Sequence, residues 1–113
     1  MCFFCGSKFN ENDAVHVDHL IPRDAVKHDQ IWNLVLSCSQ CNLNKSDSLA
    51  VDFKDALIER NNNQRFQIKG LDYSLTKLDN GLGWEKEMER MYDDCYKYWG
   101  FTEITEEEIK RRK

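Results

Sequence analysis

Residues 17–47 read VDHLIPRDAVKHDQIWNLVLSCSQCNLNKSD. This segment holds an Asp-His pair (Asp18, His19), a Cys-x-x-Cys pair (Cys38, Cys41) and two asparagines nine residues apart (Asn33, Asn42). A second such cysteine pair, Cys2 and Cys5, opens the chain in MCFFCG. Two thiolates on one tight turn reach a single ion, and two such turns complete a tetrahedral four-sulfur site of the kind zinc occupies. Gly6 suits the turn of such a knuckle, because glycine takes positive φ without steric cost. Two disulfides, buried free thiols or an iron-sulfur cluster would use the same residues. A zinc ion held by four protein ligands has no open position, so its role would be structural. It would tie the N-terminus to the loop near residue 40 and staple a small core. Cys95, the remaining cysteine, falls on an apolar helical face and reads as a core thiol.

The chain has 113 residues, a length that suits one domain. Sixteen basic against 20 acidic residues leave a net charge of -4. That argues against a broad basic surface, but a local patch or a metal ion can still meet nucleic acid. No apolar run approaches the ~18 residues of a membrane span, and no signal peptide opens the chain. The expectation is a cytoplasmic protein with no membrane partner. Cys2 follows Met1 directly, which points to a domain cut from a longer protein with further domains of its own.

Alternation in residues 14–18 predicts a short strand, with Val15 and Val17 on one face and His16 and Asp18 on the other. Pro22 ends it, since it cannot donate to a ladder. Residues 23–33 read as irregular, with a helical turn near 29–33, and Leu34–Leu36 as a second strand. A helix is expected to carry Leu49, Phe53, Ala56 and Leu57 on one face and to stop or fray at Asn61-Asn62-Asn63. Residues 64–83 give no clear pattern. Trp84, Met88, Met91, Cys95 and Trp99 have helical spacing and read as core, widened by Tyr92 and Tyr96 and stopped by Gly100. Thr105 and Glu108 form a capping-box pattern for a last helix, and its basic end (residues 110–113) reads as a solvated tail.

Asp18 and His19 stand where the first strand ends. A hard divalent cation takes oxygen ligands such as a carboxylate. Phosphodiester hydrolysis needs water deprotonated, phosphoryl charge stabilised and the leaving oxygen neutralised. A histidine near its free pKa can serve the first need, and a divalent ion the other two. Alone, an Asp-His pair is common. The ordered set is not: VDHLIP (residues 17–22), HDQIWNL (28–34) and CSQCNLNKSD (38–47). Together these resemble the HNH endonuclease family, of the ββα-metal type with four zinc-binding cysteines. The resemblance covers roughly residues 2–49.

The resemblance implies an α+β fold: a two-stranded antiparallel hairpin followed by a helix, with a catalytic Mg²⁺ or Mn²⁺ between them and a structural zinc at Cys2, Cys5, Cys38 and Cys41. It implies that His19 is the general base and that Asp18 and Asn42 are ligands of the catalytic metal. It implies that Asn33 braces the loop and orients the base. Lys45, His16 and Arg23 are candidate phosphate contacts. His28 matches the pattern without a role. Asn42 directly follows Cys41, so the knuckle would fix an amide oxygen where the helix begins. On this reading residues 1–60 form the zinc-stapled core and 61–113 a helical extension of one domain. The expected function is metal-dependent hydrolysis of DNA, with bacterial defence or restriction as its setting. The competing readings are a zinc-stapled nucleic-acid-binding module without turnover and an interaction domain using the 84–99 stripe. Sequence specificity, nicking against double-strand cleavage, RNA tolerance and oligomeric state are left open.

Overall fold

The computed structural model of the chain describes residues 1–26 and 29–112. His28 and Lys113 lie outside the described residues. Strand β1 (Val15–His19) pairs antiparallel with β2 (Leu34–Cys38), with Val15 opposite Cys38 and His19 opposite Leu34. Both strands run past their expected ends. Between them Pro22 starts a short helix, α1 (Arg23–Val26), where the irregular stretch was expected. A 3-10 turn at Ile31–Asn33 follows and buries Trp32 and Asn33.

The hairpin is polarised in an unusual sense. Val15, Val17 and Leu36 are 45%, 61% and 48% exposed, whereas Asp18, Val35 and Ser37 are buried. Half-buried strands ordinarily turn apolar residues inward. Here the inner face carries the polar side chains, and helix α2 (Ser39–Lys45) packs on β1 and β2. This helix starts directly after Cys38, so strand, knuckle and helix form one continuous unit.

The helix expected to carry Leu49 and Phe53 does not form as one piece. Helix α2 stops at Ser46, whose φ of 49° is left-handed. Leu49–Ala50 is instead a short strand, β3, paired parallel with β4 (Glu103–Ile104). Both β3 residues are buried, so a distant strand overrides local helical spacing. Helix α3 begins only at Lys54 and continues to Gln64, through the asparagine tract expected to break it. Asn61 explains why. It is fully buried, and its amide donates to the Trp32 carbonyl at 2.9 Å. Asn62 and Asn63 are exposed.

Helix α4 (Leu71–Leu78) occupies the stretch that gave no pattern. It follows Gly70, where φ is 85° and a Cβ would lie 2.7 Å from Ile31 Cδ1. Helix α5 (Trp84–Asp94) buries Trp84, Met88 and Tyr92 as expected. Its continuation, Cys95–Trp99, widens into π-helical turns. The wider turn changes the phase, so Cys95 stays buried while Tyr96 and Trp99 are exposed. Trp99 therefore leaves the expected core stripe and stacks on Phe101 at 6.3 Å. Gly100 ends the segment at φ 67°. Helix α6 (Glu106–Lys110) carries the Thr105–Glu108 capping box on both sides and buries Ile109. No helix among the described residues is long and apolar enough to cross a membrane.

The three asparagines of α3 should separate cleanly. Asn61→Ala removes the donor to Trp32 and is expected to cost about 1–3 kcal/mol in urea unfolding, whereas Asn62→Ala should stay within about 0.5 kcal/mol. Equal effects at the two positions would contradict the burial assigned to Asn61.

Candidate active site and metal centre

The N-terminal knuckle is built from backbone hydrogen bonds. Gly6 N donates to Cys2 O at 2.9 Å and Cys2 N to Ser7 O at 2.8 Å, with Gly6 at φ 75°. Phe3 N donates to Leu36 O at 2.8 Å, which lays the knuckle against β2. The second knuckle is the junction of β2 and α2. The four sulfurs of Cys2, Cys5, Cys38 and Cys41 lie within 4.8 Å of one another, and Cys5 Sγ is 3.9 Å from Cys38 Sγ. Zinc bonded at about 2.3 Å to four sulfurs places neighbouring sulfurs roughly 3.8 Å apart. All five cysteines are free thiols, so the disulfide reading fails and the donor set fits zinc.

The thiols differ in acidity. Burial works against the Cys5 thiolate, but hydrogen bonds from Ser7, Cys2 and Cys41 outweigh it and bring its pKa down to about 6. Cys38 is also lowered: burial opposes its thiolate, and hydrogen bonds from Cys41 and Cys2 overcome that. Burial pushes Cys41 up. Zinc binding to such a set would displace the thiol protons.

Asp18 and His19 occupy the end of β1. Asp18 is buried. Its Oδ1 lies 3.4 Å from Lys45 Nζ, and its Oδ2 has no hydrogen-bond partner among the described residues. Burial raises the Asp18 pKa, with Lys45 pulling the other way. Burial likewise lowers that of Lys45, against the attraction of Asp18. For both groups desolvation exceeds the benefit of pairing. Lys45, expected at a phosphate, is 1% exposed and turned inward, where it also donates to the His19 carbonyl at 2.9 Å.

The His19 ring is a quarter exposed, and its Nε2 lies 2.8 Å from Asp29 Oδ1. Arg23 Nε donates to the same oxygen at 3.1 Å. The hydrogen bonds from His19 and then Arg23 hold Asp29 below the usual carboxylate range. A carboxylate on Nε2 favours a proton on that nitrogen. Asn33 is fully buried. Its Oδ1 accepts from Ile21 N and its Nδ2 donates to Ile21 O, both at 2.8 Å. This two-point clasp, with Leu20 N bonded to Asn33 O at 3.0 Å, fixes the chain directly after His19. His16 Nε2 lies 3.1 Å from Ser39 Oγ, across the hairpin's inner face. Asn42 is half-buried on α2, one residue after Cys41.

The structure thus joins Asp18, His19, Lys45 and the Asn33 clasp in one place. Asp29 was not singled out from sequence. Its only signal was membership of the HDQIWNL segment, since an exposed carboxylate in a loop has no periodicity.

These features define a ββα unit with a four-cysteine cluster that could hold zinc and with a carboxylate and a histidine at the hairpin end. The family model described as HNH endonuclease matches residues 2–48, and the four-cysteine cluster in that segment is consistent with a zinc site. Comparison with curated proteins and with solved structures gave no match.

The buried Asp18–Lys45 pair makes a thermodynamic prediction. Without a divalent cation, Asp18→Asn or Lys45→Met alone leaves the other group buried without its partner and destabilises the fold. The double substitution should recover about 1–3 kcal/mol relative to the sum of the two. Strictly additive losses in urea unfolding would mean that the two groups do not interact.

Proposed function

We propose that this chain is a metal-dependent endonuclease that hydrolyses DNA phosphodiester bonds. The observation that carries the reading is the pairing of Asp18 and His19 at one strand end. One offers a buried carboxylate oxygen without a partner among the described residues, and the other a histidine whose far nitrogen rests on a carboxylate. An unpaired buried carboxylate oxygen is costly, and a divalent cation is the kind of group that satisfies it. The donors that would hold Mg²⁺ or Mn²⁺ are Asp18 and the Asn42 amide oxygen, hard ligands that suit a hard ion. When bound, such an ion supplies charge stabilisation at the phosphoryl and leaving oxygens.

The remaining work falls to the chain's own side chains. His19 Nδ1 takes the proton of an attacking water, while Asp29 on Nε2 fixes the ring and stabilises the imidazolium that forms. Asn33 keeps the backbone after His19 from drifting. Lys45 offsets the charge of Asp18, and a cation drawn to that carboxylate competes with the ammonium for it. Arg23, exposed beside His19, is the basic group best set to meet a phosphate. His16, tied to Ser39, is a second candidate. Support for DNA as substrate, and for bacterial defence or restriction as the setting, comes from the family resemblance.

The closed Asp18–Lys45 pair also favours a second reading, a zinc-stapled module that binds nucleic acid without turnover. Plasmid cleavage separates the two. Zinc-loaded protein with Mg²⁺ or Mn²⁺ is expected to relax or linearise supercoiled DNA, and His19→Ala should lower the rate by about 10²–10⁴-fold. DNA that shifts on a gel but is never cut, with zinc bound, would favour the binding module.

A further inference from the structure

The C-terminal tail is not free in solvent. Arg112 Nη2 lies 3.1 Å from Cys5 Sγ, 3.7 Å from Cys38 Sγ and 3.9 Å from Cys41 Sγ, and Nη1 lies 3.8 Å from Cys41 Sγ. A side chain 107 positions from Cys5 therefore caps three of the four sulfurs. The fold brings it there by a defined route. The capping box starts α6, and Ile109 anchors it in the core. The Asn44 amide then donates to the carbonyls of Ile109 at 2.9 Å and Arg111 at 2.8 Å. Asn44 stands on α2, between Cys41 and Lys45, so the tether leads from the zinc-binding helix to the arm that covers the sulfurs.

The chemistry of such a site gives this contact a purpose. Four thiolates and one Zn²⁺ leave a net charge of about -2 on the site. The sulfurs keep lone pairs and remain nucleophiles. Cys2 and Cys41 are protected by burial, but Cys5 and Cys38 are only half-buried, and they are among the three that Arg112 touches. A guanidinium offers a planar fork of N–H donors, a fixed positive charge and steric cover.

We infer that Arg112 is the counter-charge and cover of the four-cysteine zinc site, held there by the Asn44 tether, and that it sets how fast the site gives up zinc to thiol-reactive electrophiles. The assignment does not depend on whether the chain cuts DNA. Attack by iodoacetamide follows a simple balance. A sulfur lone pair forms the S–C bond, iodide leaves, and the thioether that results is a poor ligand, so the ion is released.

The test uses the full zinc-loaded chain with iodoacetamide and a chromophoric zinc chelator, and follows the rate of zinc release. Arg112 is exposed near the chain end, so Arg112→Ala is expected to keep its fold and one zinc per chain by native mass spectrometry. It should release zinc severalfold faster than the unsubstituted protein. Arg112→Lys, which keeps charge but loses the fork, should fall between the two. Asn44→Ala, which frees the arm without touching Arg112, should also accelerate release. Salt should speed the unsubstituted protein and leave Arg112→Ala nearly unchanged, because only the former has the charge to screen. Equal release rates for the unsubstituted, Arg112→Ala and Asn44→Ala proteins would overturn the assignment.

Discussion

Closure of four sulfurs is the constraint on which the rest of this structure depends. Cys2 and Cys5 come from the first turn of the chain, and Cys38 and Cys41 from the point where β2 becomes α2. Between them lies the whole hairpin. Joining the two knuckles fixes where β2 ends, and so where α2 begins and which way it points. The same helix then presents Asn42, Asn44 and Lys45 within about one turn, in different directions. One turns to the proposed metal, one to the C-terminal arm, and one to Asp18. The four-cysteine cluster thus sits at the start of the helix that carries all three side chains.

The ordinary polarity of the hairpin is reversed. A two-stranded sheet gains little stability by itself, and this one leaves Val15, Val17 and Leu36 exposed while turning His16 and Asp18 toward α2. The inner face is built around a buried carboxylate and a buried ammonium, neither of which is at ease there. Burial of such a pair costs more than its attraction returns. The stability that tolerates it comes from elsewhere: the sulfur cluster, the Phe3–Phe4–Phe53 aromatic contacts, and the packing of Trp32 beneath α3 and α4.

The part of the molecule legible in sequence was the part written in short, rigid spacings. The cysteine pairs, the Asp-His step and the Asn33 position each depend on residues close in the chain, and the two strands were read from the alternation in residues 14–18 and the apolar run at Leu34–Leu36. Spacing failed where a distant partner decided the outcome. Leu49, Phe53 and Leu57 have helical periodicity, yet β4 captures Leu49 and Ala50 and the helix starts later. Asn61 reads as a helix breaker until the Trp32 carbonyl gives its amide a partner. Leu71, Leu75 and Leu78 do share a helical face, but eight residues are too few to stand out. Trp99 was lost from the core by a π turn that no pattern announces. Asp29 and Arg112 are exposed polar residues, and apart from the HDQIWNL segment around Asp29 nothing marks them as different from any surface charge.

On the proposed reading a divalent cation binds at the end of β1, against Asp18 and Asn42, while zinc occupies the sulfurs. Titration of Mn²⁺ into isotope-labelled, zinc-loaded protein tests it directly, because a paramagnetic ion broadens the amide signals nearest to it. The account predicts early broadening at Asp18, His19 and Asn42, absent in Asp18→Asn. Broadening centred on another part of the chain, or unchanged by that substitution, would contradict it.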